Sequence, residues 1–201
     1  MSIPYFWYIR NSTNPKKGFS ILFIGVISVI LLINFNFSVL VGFLILASVL
    51  LHTNKILSNT SFLLSFLVLT IDAFNLMGKN LTQVILPITL VSGIFALMMI
   101  GHWFLVDPTI SRDGMKNIAK SSIFIASILC FLILIGLLSG EISNFYRNII
   151  LGLYVSSGIL SLGSLKSLNE RSYTGVMAAT GLSYLSLLVS LGGTGTLILL
   201  P

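Results

Sequence analysis

The chain has 201 residues, 56% hydrophobic and only 8% charged, with eleven Lys and Arg against five Asp and Glu. A soluble domain of this size covers its surface with roughly 25% charged residues, so a mean hydropathy of +1.05 excludes a water-soluble globule and makes lipid the solvent. The net charge of +6 is then explained by topology and by attraction to anionic inner-leaflet lipids rather than by nucleic acid.

A helical span needs roughly 17–25 apolar residues to cross a hydrocarbon core of about 30 Å. Barrel strands alternate apolar and polar residues over about 10 positions. The runs Ile21–Ile33 and Ile123–Leu138 are continuous instead. The expected fold is therefore all-α, a polytopic transmembrane helical bundle forming a single membrane domain over residues 1–201. Seven spans fit, at 18–34, 37–52, 61–78, 82–106, 120–139, 147–166 and 172–191.

Residues 1–17 form a cytoplasmic leader, in which Tyr5-Phe6-Trp7-Tyr8 beside Arg10 suits the membrane interface. Lys16 and Lys17 precede an apolar run with no small-residue cleavage site after it, so the first span is retained. The stretch Gly18–Leu51 is 34 residues, interrupted only by Asn34-Phe35-Asn36-Phe37, and reads as a short hairpin or a re-entrant pair.

The third span carries a polar stripe. Ser61, Ser65, Asp72, Asn75 and Lys79 follow at steps of four, seven, three and four, which share one helical face. Asp72 is the acidic residue placed inside a span, where a carboxylate costs several kcal/mol unless it faces the bundle, water or a partner. It is a candidate proton or cation site, with Asn75 hydrogen-bonding it. The plainer reading has it protonated, or reaching the interface near Lys79 and locking helix packing.

His52 closes the second span and His102 lies near the end of the fourth, at similar depth toward the cytoplasmic side. Two imidazoles on separate helices meet the requirement of a b-type haem or a small metal site. Gly101 would let a flat ring approach, beside Trp103. Without such a group both histidines are ordinary interfacial residues. The expected cofactor is none, with b-type haem as the alternative.

Pro87 falls in the first turn or so of the fourth span, where proline is tolerated. Asp107-Pro108 ends that span. Arg112, Lys116 and Lys120 then repeat at steps of four, as a short basic turn lying on the headgroups. Cys130 is the single cysteine and sits mid-span, so no intrachain disulfide forms.

The sixth and seventh spans read as packing surfaces. The sixth has Gly152, Ser156 and Gly163 on one side and Ser157, Ser161 and Ser164 on another; the seventh has Ser172, Gly175, Ala179, Ser183, Ser186 and Ser190 on one face. Small residues at helical spacing bring membrane helices close, with Ser hydroxyls bonding across. A polar pathway with Tyr154 and Tyr184 is the functional alternative, and another subunit is a further partner for the same stripes.

Orientation follows the excess of Lys and Arg in cytoplasmic loops. An inside N-terminus puts nine basic residues inside and leaves two, Lys79 and Arg147, outside. The C-terminal stretch Gly192–Pro201 then lies outside. No Walker A, Ser-x-x-Lys, His-Glu-x-x-His or Gly-x-Ser-x-Gly motif is present, and the seventh span has no lysine for a retinal Schiff base. The sequence points to a non-catalytic subunit or assembly component of a larger complex in the cytoplasmic (inner) membrane, with the lipid bilayer and other membrane subunits as partners. The alternatives are a small proton- or cation-coupled transporter using Asp72, and a redox subunit holding b-type haem through His52 and His102.

Overall fold

A computed structural model of the chain describes residues 4, 5, 7, 8, 40–42, 44, 60, 63, 64, 67, 81–108, 110–138 and 142–199. Met1–Asn14 with Thr82–Pro201 form one compact unit and Pro15–Leu81 a second. The few described residues of the second unit are all helical. The expected spans 18–34, 37–52 and 61–78 lie almost wholly outside the described residues.

In the first unit four helices follow one another: α1 Leu81–Phe104, α2 Arg112–Leu134, α3 Asn144–Asn169 and α4 Tyr173–Leu199. Each is long and apolar enough to cross a membrane. A helix satisfies its own backbone groups in lipid and needs about 20 residues to cross the hydrocarbon core, which suits these lengths; no strand occurs among the described residues.

Local chemistry sets the ends. Pro87 stands at the seventh position of α1, past the first turn where the sequence placed it. It cannot donate to the carbonyl of Gln83, yet the helix continues through it. At the start of α2, Ser111 accepts the amide of Gly114 at 3.2 Å, a serine N-cap. Arg112, Lys116 and Lys120 therefore open α2 as helix rather than forming a separate turn on the headgroups. Their spacing of four is helical spacing, and the cap lets it begin at Arg112.

The far end of α2 closes on Gly136, whose φ of 78° is left-handed. Its amide bonds Ile133 O at 3.1 Å, and that of Leu137 bonds Leu132 O at 3.0 Å, the two bonds of a Schellman cap. Three residues, Glu170–Ser172, connect α3 to α4. Ser172 accepts the amide of Gly175 at 3.2 Å and so starts α4. At its other end α4 runs on to Leu199, beyond the expected limit at 191. Three glycines in 192–195 do not break it, because in an apolar setting no competing partner for the backbone is at hand.

The core draws on all four helices, with Leu90, Ile94, Leu129, Ile133, Ile150 and Leu197 in one cluster around Tyr154. The outside is apolar as well: Phe124 is 67% exposed, Leu134 65% and Ile159 62%. Lipid is as apolar as leucine, so burial supplies little drive here, and van der Waals fit and interhelical hydrogen bonds hold the helices together.

Candidate functional site

The most developed polar feature is the seam between α3 and α4. On α3, Tyr154, Ser157, Ser161, Ser164 and Leu168 are buried, at alternating steps of three and four. On α4 the buried residues include Gly175, Ala179, Ser183, Ser186, Ser190 and Thr194. Alternation of three and four keeps one narrow stripe turned to a neighbouring helix, and the small side chains let the two backbones draw together.

The hydroxyls of this seam bond to one another. Ser186 Oγ lies 3.0 Å from Ser157 Oγ and 3.2 Å from Ser161 Oγ, and it donates to the Ser157 carbonyl at 3.1 Å. Ser164 Oγ lies 3.3 Å from Ser183 Oγ and 3.2 Å from the Ala179 carbonyl. Nearer the C-terminus of α4, Tyr154 and Thr194 hydroxyls meet at 3.2 Å. Ser190 bonds within its own helix, to Leu187 O at 3.0 Å. Of the stripe read from the sequence, only Ser172 is exposed, serving as the cap of α4. Of the two tyrosines considered for a pathway, Tyr154 has its hydroxyl taken up in the seam and Tyr184 is 55% exposed.

Close approach at the head of the seam depends on Gly175. A Cβ there would stand 2.5 Å from the Ser167 carbonyl oxygen and 3.0 Å from Glu170 Cβ.

A second cluster gathers at the end of the unit where α1 stops, α2 starts and α3 turns into α4. His102 is exposed there. The space over Gly101, which a flat ring would need, is taken by the side chain of Thr180 from α4, with the Met115 methyl 3.4 Å from a Cβ position. Gly101 thus serves the contact between α1 and α4. Asp107 is buried, 1% exposed, in the loop after α1. Arg112 donates to the Glu170 carbonyl at 3.0 Å and lies 5.1 Å over the Phe104 ring. Tyr173 donates to the Leu105 carbonyl at 3.2 Å, so the loops of this end are cross-tied.

The leader also reaches this unit. Tyr8 Oη accepts the Asn117 amide at 2.8 Å, and the Tyr5 ring shares with Ser122 Oγ the space that a side chain on Gly93 would take.

Asp72, Asn75 and His52 lie outside the described residues, so no geometry joins His52 to His102 or Asn75 to Asp72. Among the described residues, no group of three or more His, Cys, Asp or Glu side chains gathers as a metal site. Two features escaped the sequence reading. The pairing of Tyr154 with Thr194 was hidden because Thr194 falls beyond the expected end of the last span. Asp107 ends the α1 segment as a loop residue, as its place before Pro108 suggests, but its burial, at 1% exposed, was not foreseen.

Comparison of the chain with family models, with curated proteins and with solved structures gives no match in any of the three. The class is thus set by the fold itself: an all-helical, membrane-embedded protein with four candidate spanning helices among the described residues.

Proposed function

We propose that the chain is a seven-span protein of the cytoplasmic membrane, with its N-terminus inside, acting as a non-catalytic subunit or assembly component of a larger membrane complex. The observation that carries this reading is the way α3 divides its small residues. One face, Ser157, Ser161 and Ser164, is filled by α4. Across the helix, Gly152 is exposed with open space where a Cβ would stand, and Ser156 one turn on is exposed too. Ser156 already donates to the Gly152 carbonyl at 2.8 Å, so the face offers shape rather than an unmet hydrogen bond. An uncovered Gly-x-x-x-Ser among large apolar side chains fits close docking of another membrane helix.

The test is purification of the tagged full chain from its native membrane in several mild detergents. A partner in fixed stoichiometry is expected, and Gly152→Leu should release it while leaving the chain folded. Recovery as a monomer in every detergent would end the proposal.

A further inference from the structure

We propose that the cleft between α2 and α3 is a seat for one anionic phospholipid, with its acyl chain in the cleft and its phosphate between Lys120 and Lys166. The proposal rests on the membrane-spanning reading of these helices and not on the subunit reading.

The cleft holds about 370 Å³ and opens sideways, between walls that include Ile123, Ser127 and Leu134 on α2 and Val155, Gly158 and Leu162 on α3. Its floor is shallow because Gly158 lies close under Ala126, whose Cβ is 3.6 Å from a Cβ position on the glycine. The walls are apolar in effect: Ser127 spends its hydroxyl on its own helix, at 2.9 Å from the Ile123 carbonyl. The cleft runs about 16 Å along α2, from Ile123 to Leu134, and about 12 Å along α3, from Tyr154 to Leu162, at the helical rise. One leaflet of the hydrocarbon core is about 15 Å deep. An acyl chain of a single leaflet therefore matches its length.

Charge chooses the lipid. Lys120 precedes Ile123 by three residues and Ser127 by seven, so it continues the α2 wall past the end of the cleft. Lys166 follows Leu162 by four residues and Ile159 by seven, and continues the α3 wall at the same end, since the helices are antiparallel. Both lysines are exposed. Lys116 lies one turn further out on the same face, but it is engaged with Asp113 at 3.7 Å. The other charges at this end are Arg112, turned to the Glu170 carbonyl, Arg171 and Glu170, both exposed, and buried Asp107. The balance is basic. Paired cations at the headgroup level above an apolar cleft recognise an anionic phosphate whose chain fills the cleft.

The experiment is native mass spectrometry of the detergent-purified full chain, titrated with dioleoylphosphatidylglycerol or dioleoylphosphatidylcholine. Wild-type protein should retain one phosphatidylglycerol in preference to phosphatidylcholine. At about fivefold per lysine near the headgroups, the double variant Lys120→Gln/Lys166→Gln should lose roughly 30-fold in phosphatidylglycerol affinity and none for phosphatidylcholine. Lys116→Gln should change it far less. Ser127→Phe, which fills the cleft from its exposed wall, should expel the lipid with both lysines intact. Equal retention of the two lipids by wild type, or an unchanged double variant, overturns the proposal. So does displacement of the lipid by millimolar inorganic phosphate, which would make the lysines a bare anion site without a chain seat.

Discussion

Ser186→Ala is the sharpest probe of the seam. Ser186 is fully buried, and its hydroxyl stands within hydrogen-bond distance of Ser157 Oγ, Ser161 Oγ and the Ser157 carbonyl, at 3.0, 3.2 and 3.1 Å. Interhelical hydrogen bonds in membrane proteins average about 0.6 kcal/mol each and reach about 1.7. At the average value three contacts amount to about 2 kcal/mol. Part of that is recovered, because Ser157 and Ser161 can turn to carbonyls one turn back on their own helix, as Ser164 does toward Leu160 O at 3.1 Å. The expected cost is about 1 kcal/mol, or a fall of about 2–4 °C in the thermal midpoint for a chain of this size. The comparison variant is Ser156→Ala, whose exposed hydroxyl bonds only its own helix and whose loss should stay within about 0.5 kcal/mol. Unfolding of both, and of Ser157→Ala and the double variant, is followed by heating in one detergent. The double-mutant cycle should give a coupling of about 0.5–1 kcal/mol between Ser157 and Ser186. A Ser186→Ala shift no larger than that of Ser156→Ala, together with zero coupling, would refute the view that these hydroxyls hold α3 to α4.

Three other perturbations separate the roles of individual residues. Gly175→Val puts branched carbon against the Ser167 carbonyl and Glu170, so it should cost about 1–3 kcal/mol through displacement of the hairpin, read as the same thermal shift. Arg112→Lys keeps the charge but loses the planar guanidinium that lies over Phe104 and reaches the Glu170 carbonyl; a loss of about 1 kcal/mol is expected, and an unchanged midpoint would mean the tie is idle. Gly152→Ala meets no neighbour and should leave the midpoint of the isolated chain the same or higher, since alanine is the better helix former by roughly 0.8–1 kcal/mol. Any fall there would show that the Gly152 face is already filled within the chain.

How much of this was legible depended on which physical rule each residue obeyed. The stripes of α3 and α4 were visible because a helix repeats its faces at steps of three and four, and serine or glycine at those steps has few other uses in lipid. What the spacing could not carry was the pairing. Ser172 obeys the same spacing as Ser183 and Ser186, yet it stands at the head of α4 and caps it. α4 also runs past the expected limit at 191, through Gly192, Gly193 and Gly195, which break helices in water, where the freed backbone finds solvent, but not in a membrane.

The basic residues were read for the orientation of the chain and not for local structure. Arg112, Lys116 and Lys120, at steps of four, read as a short basic turn on the headgroups, whereas Ser111 caps a helix that begins with them. That helical start has a consequence that a loop would not have: it fixes Lys120 on the same face as the α2 wall of the cleft, a turn above Ile123. Lys166 is fixed in the same way on α3. A basic residue that orients a span through its sign alone can sit on any face of its helix. Two that stand over one apolar cleft, on antiparallel neighbours, have been given a direction as well, and direction is what a bound headgroup would read.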